Sequence, residues 1–445
     1  MTDLAASIVR RALESGANDA ECSVSEGEEF SAGVRMREIE KIKEAGSRGI
    51  GLRIVAGGRT GSSYTSDFSA EGIDRLVRSA IELAEVTTED PHAGLPDPAE
   101  LGAIALDLAL YADDVAALDA SRKVEMALEA ESAALDLDPR IRNSEGASFD
   151  THVARHVFVN SRGFAGEYRS SHCSLVAIPV ARDGDAMERD YWYSRARSIA
   201  GLEPPPQVGR IAATRALRRL GAVKVETQKA AVVFEPRTAR TLLDSLFDGV
   251  HGESVYRQAS FLAGRIGERV AAGGLTVVDD GTLPGLFGTS PFDDEGVPSR
   301  RTVVIENGVL KNYLLNTYTA RKLGMRTTGN ASRGLTGNAG IGHGNFYIEK
   351  GARPPEELIR SVRNGLYVTE LIGFGVNVVT GDYSRGATGL WIRDGELAFP
   401  VSEVTIAGNL KQMLMDIEWI ASDLEFRGAV ASPTLCIREM TIAGK

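Results

Sequence analysis

Cysteine and long apolar runs are both scarce in this chain of 445 residues, and each scarcity excludes a class of protein. The three cysteines, Cys22, Cys173 and Cys436, are far apart and form no CxxC pair. This excludes a disulfide framework and a cysteine-rich structural zinc site, so we expect buried thiols. The longest apolar run, residues 175–181, is far shorter than the roughly 20 residues of a membrane-spanning helix. The sequence therefore predicts no membrane span.

Positive charge is also outweighed by negative charge. The formal net charge is −11 and the pI is about 5.3, whereas surfaces that bind nucleic acid are rich in Lys and Arg. We therefore expect no nucleic-acid partner. The one basic cluster, residues 215–224, is interpreted as the solvated face of a short helix.

The first residues contain neither a basic leader nor the apolar stretch of an export signal, so we expect a cytoplasmic protein.

The length predicts more than one hydrophobic core. A single core rarely serves more than about 300 residues. A proline run at residues 204–206, followed by a predicted helix that ends near Gly221, separates two parts with different patterns. We predict an N-terminal domain of residues 1–220 and a C-terminal domain of residues 221–445.

The N-terminal part combines helical and strand patterns. Apolar residues recur at helical spacing in residues 4–13, 70–85 and 119–134. From residue 147 to residue 197 the period changes to two, with turn sequences in between, which predicts an antiparallel meander. We therefore predict an N-terminal α/β domain with helices on a sheet.

The C-terminal part is strand-rich and glycine-rich. Residues 303–310 and 390–397 each place apolar residues on both sides of an Asn-Gly or Asp-Gly pair, and these pairs favour tight hairpins. We expect few helices here. The predicted fold class is α+β, with a β-rich C-terminal domain.

The histidine patterns favour structural roles. His152 and His156 have the spacing of a metal-binding pair on a helix, but in the predicted strand they lie about 13 Å apart. His172 and Cys173 are adjacent on a strand and therefore face opposite sides of the sheet. The glycine-rich segment 332–345 lacks the Lys-Ser/Thr of a phosphate loop. We predict a mobile loop near a partner or substrate, with His343 lining a cleft.

Two aspartates suggest a second kind of metal site. Asp244 and Asp248 are four residues apart, so on a helix both carboxylates face one way. With acids from 279–280 or 293–295 they are candidates for a magnesium or manganese site. The alternative is that both are ordinary exposed carboxylates, which are common on helix surfaces.

Several long strings identify a family. The chain resembles the TldD/PmbA family, and within it the PmbA (TldE) branch, over essentially its whole length. The strings that carry this resemblance are Gly49-Ile-Gly-Leu-Arg-Ile, Thr289-Ser-Pro-Phe-Asp-Asp-Glu-Gly-Val, Asn307-Gly-Val-Leu-Lys, Ala320-Arg-Lys-Leu-Gly, Gly381-Asp-Tyr-Ser-Arg-Gly-Ala-Thr-Gly and Pro400-Val-Ser-Glu-Val-Thr-Ile-Ala-Gly-Asn-Leu.

The resemblance implies a subunit of a heterodimeric zinc protease, which acts in peptide maturation and in the proteolysis of unfolded or short peptides. In that family the TldD subunit supplies an HExxxH motif and a C-terminal GxC cysteine as metal ligands. The HExxxH positions correspond here to Leu243, Asp244 and Asp248, and Cys436 lies beyond the place of the GxC segment. The resemblance thus implies no catalytic residue or metal ligand in this chain, and zinc in the TldD-like partner.

The resemblance also implies partners. We expect a heterodimer with a TldD-like subunit, peptide substrates, and a homodimer when the chain is alone, because a surface built for a homologous subunit often accepts a copy of itself. His343, Asp382, Tyr383 and Arg385 are candidates for the substrate or partner face. A tight turn packed by Arg385 is the alternative for the last three. Two other functions are open: a stand-alone metallopeptidase with a carboxylate-bound metal, and a non-enzymatic regulatory binding protein of the gyrase-modulator type.

Overall fold

One large sheet and a closed ring of strands organise the chain. The computed structural model describes residues 1–445. The helices are α1 (Thr2–Glu14), α2 (Ala70–Glu85), α3 (Asp113–Ala117), α4 (Ala120–Leu135), α5 (Pro205–Leu217), α6 (Pro236–Val250), α7 (Gly252–Tyr256), α8 (Thr317–Leu323), α9 (Pro355–Ser361) and α10 (Leu410–Met415). None of them has both the length and the apolar character needed to span a membrane.

The strands are β1 (Asp19–Arg35), β2 (Glu38–Ala56), β3 (Arg59–Thr65), β4 (Ile141–Asn160), β5 (Ala165–Asp183), β6 (Ala186–Arg189), β7 (Trp192–Ala196), β8 (Gln228–Phe234), β9 (Val277–Asp280), β10 (Arg301–Glu306), β11 (Val309–Leu310), β12 (Ala331–Ser332), β13 (Gly340–Ile341), β14 (Asn345–Ile348), β15 (Asn364–Ile372), β16 (Asp382–Arg393), β17 (Glu396–Asn409), β18 (Ile417–Ile420), β19 (Val430–Ala431) and β20 (Leu435–Ala443). This mixture confirms the predicted α+β class.

The first sheet has the order β3-β2-β1-β4-β5-β6, and β7 also pairs with β5. Alternate residues of β1, from Cys22 to Ala32, face the helices α1, α2 and α4. The other set, which includes Glu21 and Ser23, faces the C-terminal half. The predicted meander is confirmed, because β4, β5 and β7 are antiparallel neighbours. The sheet thus has helices on one face and the rest of the chain on the other.

In the C-terminal half, β8, β15, β16, β17 and β20 form a closed ring, because β17 pairs with both β16 and β20. Helix α6 packs against this ring and contributes to the largest hydrophobic core. A second sheet has the order β11-β10-β9-β14-β19. This half is β-rich, as predicted, and of its helices α6 to α10 only α6 is longer than seven residues. Four of these helices are short, so their periodicity is weak.

Both predicted hairpins are present. Asn307 and Gly308 have φ of 48° and 80°, and Asp394 and Gly395 have φ of 51° and 85°. Positive φ at both central residues matches the twist of the flanking strands, and Asn, Asp and Gly tolerate it. These turns join β10 to β11 and β16 to β17.

The glycine-rich segment 332–345 packs on the first sheet, which differs from the mobile loop expected from its composition. The amide of Gly337 donates to the hydroxyl of Ser62 at 2.9 Å. A Cβ atom at Gly51 would lie 2.0 Å from the carbonyl oxygen of Leu335, so only glycine allows this approach. The segment therefore connects the two halves.

The interpretation of residues 215–224 as the solvated face of a helix is wrong in part. Arg215 is 7% exposed, and its guanidinium pairs with Glu235 at 2.7 Å and with Asp190 at 3.2 Å. Arg219 pairs with Glu370 at 2.7 Å. These acids are distant in sequence, so the run of basic residues gave no sign that part of it is buried.

Candidate functional site

Helix α6 carries the three positions that the family resemblance matches to HExxxH, Leu243, Asp244 and Asp248. It begins at a proline, which suits the first turn of a helix, and its apolar residues recur at helical spacing. Leu243 is 1% exposed and lies in the core formed with the closed ring of strands. Asp244 and Asp248 lie on the outer face of α6, and both are exposed. As predicted, these two carboxylates share one side of the helix.

The surroundings of Asp244 bring together three of the predicted residues. The protein around Asp244 limits its hydration, which raises its pKa, and Asp248 adds to that rise. Arg240, His343 and Arg385 oppose it with positive charge. His343 and Arg385, from segments far apart in sequence, thus both act on the carboxyl of Asp244. The pKa of Asp248 is also raised by loss of hydration.

His343 sits at the edge of α6. Its ring meets the ring of Phe247 edge-on at 5.0 Å, and its Nδ1 lies 2.9 Å from the carbonyl oxygen of Gly344. Phe247 also contacts His251 at 5.4 Å, and burial lowers the pKa of that histidine. An aromatic contact thus fixes His343 next to the acidic face of the helix.

The other two predicted residues lie on β16 and have different environments. Tyr383 is 2% exposed within the core, and burial raises its pKa to about 12. The carboxylate of Asp382 accepts hydrogen bonds from Thr380 at 2.7 Å and from Asn409 at 3.3 Å. Asp382 therefore takes part in a turn, whereas Arg385 is the member of this string whose charge acts on Asp244.

The donor atoms at these three positions of α6 do not fit a zinc ion. Leu243 has no ligand atom, and the other two positions offer only carboxylates, which favour harder cations than zinc bound by thiolate and imidazole. Cys436 is 1% exposed on β20, and burial raises the pKa of its thiol to about 12. No group of three or more His, Cys, Asp or Glu side chains is arranged to hold a metal ion in this chain.

A polar cleft lies on the other side of His343. Its volume is about 310 Å³, and its walls come from both halves of the chain. His156, Tyr168 and Ser170 belong to β4 and β5, whereas Asp279, Asp294 and His343 belong to the C-terminal half. In the sequence, the segment 289–297 stands out only by its acids and its family resemblance. Nothing in the sequence indicates that this segment lies near β4 and β5.

Side-chain hydrogen bonds build the walls of this cleft. The Nδ2 of Asn330 donates to Oδ2 of Asp279 at 2.7 Å, and the Nδ2 of Asn345 donates to Thr289 at 2.9 Å. The carboxylate of Asp293 accepts from the amides of Val297 and Ala331, both at 2.9 Å. These bonds tie Asn330 to β9, and they tie the segment 289–297 to β12 and β14.

Known proteins resemble this chain along its whole length. Family models described as PmbA/TldA metallopeptidase domain 1, central domain and C-terminal domain match residues 20–84, 113–220 and 227–444. A relative named Metalloprotease PmbA, from Escherichia coli O157:H7, is 38% identical over 434 residues, which are 97% of this chain and 94% of the relative.

Solved structures agree. A protein described as a modulator of DNA gyrase, from Bacteroides thetaiotaomicron, matches with a TM-score of 0.92 and 28% identity, and the match covers 100% of this chain and 98% of that one. TldE from Thermococcus kodakarensis has the same fold, with a TM-score of 0.89 at 22% identity, and the match covers 99% of this chain and 100% of that one. On these grounds the chain belongs to the PmbA/TldD family of metallopeptidases.

Proposed function

We propose that this chain is the subunit without a zinc site in a TldD/TldE-type metalloprotease. In this proposal a TldD-like partner holds the zinc, and the complex acts in peptide maturation and in the proteolysis of unfolded or short peptides. The observation that carries it is the position of Leu243. Where the motif would place an imidazole, an apolar side chain packs into the core.

The contribution of this chain is then to complete a chamber and to position peptide. The face of α6 with Asp244 and Asp248 would line that chamber, together with His343 and Arg385, whose charges reach Asp244. The outer half of β2, up to Arg48, has no neighbour beyond β1. Such a free edge can add an extended peptide as a further strand.

An apolar surface supports the proposed association with a homologous subunit. Ile372, at the end of β15, and Phe374 and Val379, in the loop that follows it, are 60%, 100% and 54% exposed. Large apolar side chains that are exposed together are typical of interaction surfaces. We assign this region to the contact with a TldD-like subunit, and to the contact with a second copy when the chain is alone.

The remaining parts of the proposal are a cytoplasmic location and the absence of a nucleic-acid partner. The net charge of −11 supports the second part, because it opposes the approach of a polyanion.

The test is to purify the full chain, a TldD-like subunit and their mixture, and to measure zinc content and cleavage of an unfolded protein and of short peptides. We expect cleavage only in the mixture, with zinc in the TldD-like subunit. Replacing the glutamate of the partner's HExxxH motif by glutamine should abolish cleavage, because this residue activates the attacking water.

Two results would contradict the proposal. The first is stoichiometric metal with peptidase activity in the isolated chain, which would favour the carboxylate-bound metal. The second is a TldD-like subunit whose activity does not change when this chain is added.

A further inference from the structure

The cleft between β4, β5 and the C-terminal half has the character of a binding site. Only a few of its lining residues are hydrophobic, and its volume of about 310 Å³ falls at the lower end for small-ligand pockets. His343 belongs to its wall and also contacts Phe247 of α6. A molecule in the cleft therefore lies next to the face of α6 that carries Asp244.

One wall of the cleft is acidic, and its charge is not balanced by an ion pair. Asp279 is 3% exposed, and its Oδ1 has no hydrogen-bond partner, although the amide of Gly344 lies close enough to lower its pKa. A buried carboxylate oxygen without a partner is costly in a folded protein. A second carboxylate, Asp294, is exposed toward the cleft and accepts only the amide of Arg333, at 2.7 Å.

Two arginines also line this cleft. Arg197 lines the cleft and donates to the carbonyl oxygens of Ser171 at 3.3 Å and Leu286 at 3.0 Å. Its Nε has no partner. No carboxylate lies within 4.0 Å of Arg197 or of Arg300, which also lines the cleft. Cations and anions thus face one cleft without pairing with each other.

We propose that this cleft binds the zwitterion of a very short peptide, with the ammonium group at Asp279 and Asp294 and the carboxylate at Arg197 and Arg300. Charge-assisted hydrogen bonds of this kind fix both ends of a small ligand. The hydroxyls of Ser170, Ser290 and Ser299 offer partners for the peptide bond. The inference rests on the proposed function, for which the ligand would be a cleaved fragment or the end of a substrate.

The identity of the ligand can be tested on the unmodified full-length chain. Titration calorimetry with Ala-Ala, N-acetyl-Ala-Ala and Ala-Ala amide compares ligands that differ only in one terminal charge. We expect Ala-Ala to bind, and each blocked dipeptide to bind at least about tenfold more weakly, because each loses one charge-assisted contact. Free alanine and Ala-Ala-Ala-Ala should show whether the cleft prefers a single residue or a longer peptide.

Variants place the ligand in the cleft. Asp279→Asn keeps an acceptor for Asn330, and Arg197→Gln keeps a donor for the nearby carbonyls. Each should weaken Ala-Ala binding by about tenfold or more. The matched controls, Asp74→Asn and Arg78→Gln, lie on the exposed face of α2 and should bind as the wild type does. Thermal melting curves of all four variants establish that they fold.

The proposal is overturned if the wild type does not bind Ala-Ala at millimolar concentration. It is also overturned if the blocked dipeptides bind as tightly as Ala-Ala does, or if folded Asp279→Asn and Arg197→Gln bind normally. Its failure can be distinguished from failure of the proposed function. If the mixed subunits cleave peptides but the chain does not bind dipeptides, only the proposed ligand of the cleft is overturned. If the chain binds dipeptides but the mixed subunits do not cleave peptides, only the proposed protease function is overturned.

Discussion

The guanidinium of Arg333 donates a hydrogen bond to the carboxylate of Glu21, and this buried ion pair joins the glycine-rich segment to β1. The side chains are 3% and 0% exposed. Glu21 also pairs with Arg53 at 3.0 Å, and Arg333 donates to Ser23 at 3.1 Å. One carboxylate thus holds two arginines, one from each half of the chain.

Removal of that carboxylate should be strongly destabilising. In Glu21→Gln, Arg53 and Arg333 stay buried without a countercharge, which costs about 3–5 kcal/mol in comparable buried pairs. The free energy of unfolding from urea titration measures the loss. As a control, Glu29→Gln removes an exposed carboxylate 3.6 Å from Lys43, and it should change stability by less than about 1 kcal/mol. Equal effects of the two substitutions would show that Glu21 does not balance the arginines.

A histidine at position 243, which the family resemblance matches to the first residue of HExxxH, should not create a metal site. Leu243→Ala should lower the free energy of unfolding by about 2–5 kcal/mol, since it leaves a cavity in the core. Leu243→His should also destabilise the fold, because the imidazole would be buried among apolar side chains. Leu83→Ala, at a leucine of α2 that is 45% exposed, is the control and should change stability by about 0.5 kcal/mol or less. A Leu243→His variant with wild-type stability would mean that this side chain can reach solvent.

Local features of the fold could be predicted from the sequence, because their causes are local. Asn307-Gly308 and Asp394-Gly395 specify their turns through the positive φ of adjacent residues. Helix α2 has bounds that match residues 70–85, since it has a regular apolar stripe and Ser69 caps its first turn, accepting from Gly72 at 3.1 Å. Here the determinants lie within a few residues of each other.

Long-range arrangements could not be predicted in the same way. Arg215 can be buried because it forms ion pairs with Glu235 and Asp190, and nothing near Arg215 in the sequence predicts those partners. The same holds for the candidate site. Asp244 and Asp248 were recognised as a pair on one helix face, but the approach of His343 and Arg385 depends on how distant segments pack.

Asp279 should make the protein less stable as the pH rises. Burial raises its pKa in the folded state above the ordinary value of 3.8, so at a pH between the two values the native state holds a proton that the unfolded chain has lost. Between those two pKa values, stability falls with increasing pH. Asp279→Asn removes this dependence, while the neighbours His343 and Asp280 are the same in both proteins.

The variant should therefore gain stability over the wild type at pH 8, on the order of 1–3 kcal/mol, and gain less at pH 5. Urea titrations of both proteins at the two pH values measure this difference. A gain in stability together with a loss of dipeptide binding is expected of a residue kept for binding at the expense of stability. If Asp279→Asn were equally destabilised at both pH values, Asp279 would be a structural residue instead.

Phe374 should control association without affecting the fold. Its side chain is fully exposed in the isolated chain, at 100%, so Phe374→Ser removes no contact within the subunit and should leave the melting temperature nearly unchanged. At an interface, an aromatic side chain can contribute more than about 2 kcal/mol, so the dissociation constant of the dimer should rise at least about tenfold. Sedimentation equilibrium of the chain alone, and of its mixture with a TldD-like subunit, measures both assemblies. Val86→Ser, at an apolar residue that is 80% exposed at the end of α2, is the control that should leave them intact. Because the same loop is assigned to both contacts, a variant that dissociates the homodimer but spares the heterodimer would show that the two subunits meet through different surfaces.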